Sequence, residues 1–215
     1  MSLLSHRRPP LPAGLDWPLR IGINLIGAAG AALFARATVL YYVHTHRLVV
    51  GLFAIEQTWF VVAFLVRRPG RAVSSRLTSW LVAFGGTFTG VLFRPAGYHP
   101  AWGSTAGLAL QVAGLVMCIA SLLALGRSFG FVAADRGLKT RGPYAVLRHP
   151  VYASYLLIQL GYVTAAVSLR NVLVFGIATG FNVGRCLAEE RLLLGSCAYQ
   201  DYQRRVRWRL IPYLW

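Results

Sequence analysis

Apolar residues fall in long blocks along this chain, separated by short stretches rich in arginine, glycine and proline. Six helical spans are predicted, over about residues 19–40, 48–66, 77–93, 105–125, 150–168 and from 171 to about 183. Each can cover a hydrocarbon layer of roughly 30 Å, the third only marginally. Gly22, Gly27 and Gly30 on an alanine-rich face of the first block suit close helix packing in lipid, and the third block carries a Gly85-Gly86 pair.

Composition supports the same picture. The 215 residues are 56% hydrophobic and only 13% charged, about half the charged share of an ordinary soluble domain. A soluble fold of this size could not hide so much apolar surface, so the expected class is an all-α, polytopic membrane helical bundle of about six transmembrane helices. The formal charge of +16 does not point to nucleic acid. A nucleic-acid binder spreads its basic residues over a folded surface, whereas these lie between apolar blocks. Cys118, Cys186 and Cys197 have no CxxC spacing and read as small packing residues, with no metal site expected. Residues 1–18 are basic and proline-rich without an AxA-like cleavage site, and read as a cytoplasmic arm.

The charge is also uneven between the two sets of loops. The arm, the second-to-third loop, the fourth-to-fifth loop and the tail hold 18 of the 22 lysines and arginines, and the alternate loops hold Arg36, Arg47, Arg94 and Arg170. This bias predicts six spans with both termini in the cytoplasm. The same arginines would attract anionic headgroups, although orientation alone would explain them. With no internal repeat, residues 1–215 read as one membrane domain: an arm (1–18), four spans (19–125), and a loop, two-helix hairpin and tail (126–215).

Polar groups inside the blocks are costly in lipid. Glu56 in the second block is expected to face the bundle, either as a substrate or proton site or in one interhelical hydrogen bond. Gln111 reads as structural and Gln159 as a residue that could line a cavity. In the last block Asn182, Arg185 and Glu189 share one helix face, with Glu190 rotated by about 100°. The two carboxylates could bind a cation, with Arg185 holding one of them, or they could form a plain intrahelical Arg–Glu pair.

The second unusual stretch is residues 137–152. Gly142-Pro143 forces a turn, Pro150 suits the first turn of a helix, and His149 then falls at the N-cap. Backbone N–H groups there favour an anion, and Tyr144 and Tyr152 offer faces for a ring or cation. A cytoplasm-facing pocket for a zwitterionic, partly aromatic ligand fits this stretch, and so does a basic loop with interfacial tyrosines.

Residues 138–152, LKTRGPYAVLRHPVY, resemble the signature of the isoprenylcysteine carboxyl methyltransferases and their bacterial relatives, in one broad group with the phospholipid N-methyltransferases. The second half of that signature is an arginine, an acidic pair, a leucine and spaced tyrosines. It matches Arg185, Glu189, Glu190, Tyr199 and Tyr202, so the resemblance covers about residues 126–212. One departure is Gly195-Ser-Cys-Ala-Tyr199, where relatives often carry Phe-Gly before the first tail tyrosine.

The resemblance implies an intramembrane methyltransferase using S-adenosyl-L-methionine. By carry-over, Tyr144, Arg148, His149, Tyr152, Glu189 and Glu190 hold the cofactor, and Arg185 and Glu190 act on the reacting group. It also implies a lipophilic small-molecule or lipid acceptor reached from the bilayer, with the cofactor site facing the cytoplasm. Two other readings stand beside it: a sterol-type membrane reductase using NADPH, and a non-catalytic scaffold or transporter.

Overall fold

A computed structural model describes residues 16–66, 72–73, 77–94, 100–128, 134–135 and 138–215. Within them lie α1 (Asp16–Thr45), α2 (Leu48–Val66), α3 (Leu77–Phe88), α4 (Ala101–Leu125), α5 (Pro150–Ala165), α6 (Leu169–Leu193) and α7 (Cys197–Arg205). Single 3₁₀ turns occupy Thr89–Leu92, Gly126–Ser128 and Gly142–Ala145. The one sheet among the described residues is a two-residue antiparallel pairing of β1 (Ala72–Val73) with β2 (Ala134–Asp135). The chain is thus an all-helical, polytopic membrane fold, as the block pattern predicts.

A helix stands at each of the six predicted positions, but they differ in reach. Three are long and apolar enough to cross a membrane: Asn24–Thr45, Ala101–Ser128 and Leu169–Leu193. Val50–Val66 and Leu77–Phe88 are shorter apolar helices. At 1.5 Å per residue α3 rises only about 18 Å and α5 about 24 Å. The apolar part of the last span fades near Val183 and helix α6 runs on to Leu193, as the helical spacing of Asn182, Arg185 and Glu189 predicts. It therefore carries Arg185, Glu189 and Glu190 on a rigid element. Large apolar side chains such as Leu25, Leu33, Leu81, Val116, Leu123 and Leu173 point outward along the helices, where lipid replaces water as solvent.

Small residues set the packing between helices. A Cβ placed on Gly107 of α4 would lie 2.5 Å from the Gly161 carbonyl of α5, and one on Gly114 would lie 2.9 Å from the Ser154 carbonyl. These two backbones therefore touch directly, as in small-residue contacts within membranes. On α3, Gly85 gives way to the Phe181 ring of α6, and Gly86 faces Arg185 and Asn182. In α1 the prediction holds for Gly27, which faces Phe64 of α2, but not for Gly22 and Gly30, which meet nothing within 4 Å. Composition alone cannot tell a glycine against a neighbour from one facing lipid.

Polar side chains inside the bundle are mostly tied to backbone. Asn171, fully buried, donates to the Arg94 carbonyl (2.9 Å) and the Ala166 carbonyl (2.8 Å) and accepts from the Arg94 amide (3.1 Å). It fastens the α5–α6 hairpin to the segment after α3. Gln111 is buried and donates to Gly107 of its own helix (3.2 Å). Glu56 is buried in α2, as its position in an apolar block requires. Cys118 and Cys186 are buried free thiols, but Cys197 is exposed at the start of α7 and so is not a packing residue. His99 and the arginines at 7, 8, 67, 68, 71, 76 and 136 lie outside the described residues.

Candidate active site

The loop before α5 is shaped by its own sequence. Gly142 has φ of +63°, a left-handed conformation that glycine adopts without a Cβ penalty, and Pro143 follows within the 3₁₀ turn Gly142–Ala145. That turn buries Tyr144. The chain then runs beside the tail: Leu147 bridges Trp208, the Arg148 amide donates to the Trp208 carbonyl (2.8 Å) and the His149 amide to the Arg209 carbonyl (3.0 Å). The tyrosine spacing of the tail also has a structural meaning. Tyr202 of α7 is buried and donates its hydroxyl to the Tyr144 carbonyl (2.7 Å), which pins the 3₁₀ turn in place.

His149 is the N-cap of α5, with Pro150 at the first helical position, as predicted. Its side chain makes no capping hydrogen bond. It reaches across to α6 instead. Nδ1 lies 3.6 Å from Glu189 Oε2 and Nε2 lies 3.3 Å from Glu190 Oε1. Burial opposes a charge on this imidazole, but the hydrogen bonds and negative charge of Glu189 and Glu190 prevail, and its pKa is raised above the usual 6.5.

The two glutamates have different surroundings. Glu190 is saturated: Oε1 takes Arg148 Nη1 at 2.8 Å as well as His149, and Oε2 takes Arg209 Nε at 3.0 Å. Its side chain is 5% exposed and that of Glu189 is 28% exposed. Glu189 accepts from the Tyr152 hydroxyl through Oε1 and faces His149 through Oε2, and its side chain stays partly exposed. Arg185 lies with its guanidinium 4.9 Å from the centre of the Tyr152 ring. The cations placed on Glu190 are Arg148, Arg209 and His149.

All seven residues predicted for the site are thus drawn together at one end of the hairpin: Tyr144, Arg148, His149 and Tyr152 from the loop and α5, and Arg185, Glu189 and Glu190 from α6. Arg209 was missed. It stands 19 positions after Glu190, in an irregular tail with several other arginines, so its sequence context offers no signal that separates it from them.

Comparison with known proteins bears on this hairpin. Residues 102–196 match the phospholipid methyltransferase family. The matched stretch runs from α4 to the residue before α7, and so contains residues 138–152 together with Arg185, Glu189 and Glu190, but not Tyr199 or Tyr202. The match supports an integral membrane methyltransferase. A solved structure of the eukaryotic intramembrane Ras methyltransferase, isoprenylcysteine carboxyl methyltransferase, is similar over 93% of this chain and 85% of that one, at 19% identity and a TM-score of 0.49. No curated protein matches.

Proposed function

We propose that this chain transfers a methyl group from S-adenosyl-L-methionine to a lipophilic acceptor at the cytoplasmic interface of the membrane. The observation that carries the proposal is the bridge His149 makes between Glu189 and Glu190, with the Glu189 side chain left partly exposed. A partly exposed glutamate next to cationic and aromatic groups suits a ligand that carries an ammonium, a carboxylate and a ring.

The residues divide into two roles. Glu189 has acceptor capacity left after Tyr152 and His149, and it receives the donor's ammonium. Arg148, His149 and Arg209 are fixed by Glu190, so Glu190 acts by positioning. With two arginines and His149 on its oxygens it is a poor proton acceptor, so we assign it to positioning and not to catalysis. Tyr152 gives its hydroxyl to Glu189 and a face to Arg185, so it orders both. Tyr144 is buried and held through its carbonyl by Tyr202, which fixes the loop that carries Arg148 and His149.

The donor supplies a methyl group on a sulfonium that is already a good leaving group. The protein therefore has mainly to align the acceptor in line with the sulfur–methyl bond and exclude water. Arg185 can orient a carboxylate acceptor, which needs no base. An amine acceptor must arrive neutral, and Glu189 can take its proton. The acceptor approaches from the bilayer and the donor from the cytoplasm. Calorimetric titration with S-adenosylhomocysteine and with NADPH tests the proposal. Binding of the former alone, lost in Glu189→Ala and His149→Ala, is the expected result. Binding of NADPH alone would turn the reading to a reductase.

A further inference from the structure

After α7 the tail makes a turn whose tip stays exposed, although the Tyr213 ring lies 5.3 Å from that of Trp208. Ile211–Trp215 forms a tight turn, closed by the Leu214 and Trp215 amides on the Ile211 carbonyl (3.2 and 3.1 Å). At its tip Tyr213 adopts φ of +65° and is 88% exposed, and Leu214 is 75% exposed. This is not the lipid-facing flank of a span. It follows a short polar helix, and Arg204, Arg205 and Arg207 just before it are exposed as well. Exposed aromatic and aliphatic tips beside arginines are the composition of a segment lying in the headgroup layer.

The same turn is joined to the candidate site. The Trp215 carbonyl accepts from the Arg209 amide (2.8 Å), and the Arg209 guanidinium lies 5.0 Å from the centre of a Trp215 ring. That guanidinium reaches Glu190 through Nε. The position of the turn therefore bears on where Arg209 sits against the hub that holds His149.

We propose that the Ile211–Trp215 turn and the arginines before it seat on an anionic lipid surface, and that this seating holds Arg209 on Glu190. The first half stands on exposure and charge alone. The second half rests on the donor reading above, because its readout is donor affinity.

The test uses the full chain in nanodiscs of phosphatidylcholine, with and without phosphatidylglycerol. A bimane dye is placed through Leu214→Cys in a Cys197→Ser background. With phosphatidylglycerol its emission shifts to the blue and is quenched by lipid-borne nitroxides, and Arg204→Gln with Arg205→Gln reverses both. Roughly 0.5 M salt reverses them too, since it shortens the screening length to a few Å. Identical emission in the two lipids overturns the seating. In unlabelled protein, S-adenosylhomocysteine binds several-fold more tightly with phosphatidylglycerol, and Tyr213→Ser with Leu214→Ser removes the difference. Equal affinity in both lipids overturns the coupling to Arg209. If wild-type protein binds no S-adenosylhomocysteine in either lipid, the donor reading falls, and the bimane result decides the seating by itself.

Discussion

One imidazole joins two helices: His149, at the head of α5, lies 3.6 Å from Glu189 and 3.3 Å from Glu190 near the end of α6. A side chain at a helix start usually serves its own backbone. This one serves the neighbouring helix, and the surroundings of both glutamates follow from it.

The pairing gives a pH dependence with a definite sign. The folded-state pKa of His149 is raised above 6.5. Its stabilising contribution is therefore fully present below about 6.5 and is lost as pH rises through the higher folded value. The limiting slope for one proton is about 1.4 kcal/mol per pH unit. Thermal unfolding of the wild type and His149→Gln from pH 6 to 9 checks this, and the gap between them should narrow toward high pH. A gap that stays constant across the range would mean that His149 does not titrate there.

Replacing each glutamate should separate stability from binding. Glu190→Gln leaves the guanidinium groups of Arg148 and Arg209 without their counter-charge, and breaking a buried pair in this way costs about 3–5 kcal/mol. Glu189→Gln removes a more open carboxylate and should cost under about 1 kcal/mol, while weakening donor binding by at least about tenfold. Unfolding in detergent measures the first effect, and titration with S-adenosylhomocysteine measures the second.

Glycines against a neighbouring backbone should tolerate substitution far less than glycines facing lipid. In Gly161→Ala the new methyl would sit 2.5 Å from the Gly107 carbonyl, an overpacking worth about 1–3 kcal/mol. Gly30→Ala meets nothing within 4 Å and should be neutral or stabilising by up to about 1 kcal/mol through helix propensity. Equal melting temperatures for the two variants would show that the α4–α5 contact is looser than described.

Tyr202→Phe removes the hydroxyl that holds the Tyr144 carbonyl. The expected loss is about 1–3 kcal/mol, because a buried carbonyl is left without that partner. Donor affinity should fall as well, since the loop carrying Arg148 and His149 loses its anchor. Hydrogen exchange at residues 142–149 should quicken in this variant and stay unchanged in α4.

Much of the architecture is legible along the chain because lipid imposes a one-dimensional rule: a helix must be long and apolar to cross. The bounds of α2, the C-terminal end of α4 and the start of α5 all follow from block edges and from Pro150. Past Val183 hydropathy no longer marks α6, and its continuation to Leu193 follows instead from the helical spacing of Asn182, Arg185 and Glu189. The meeting of residues 144–152 with residues 185–190 was readable only through family resemblance. No periodicity links two segments 41 residues apart in the His149–Glu190 pair.

By itself the sequence determined a helical membrane protein and the residue types available for chemistry, since hydropathy and composition act locally along the chain. Tertiary structure alone decided which glutamate is enclosed by cations and which keeps a partly exposed side chain, and that Arg209 joins the hub. Burial and charge pairing depend on which side chains meet in three dimensions, and residues 19 to 41 positions apart in the chain meet here only because the α5–α6 hairpin and the tail fold back on one another.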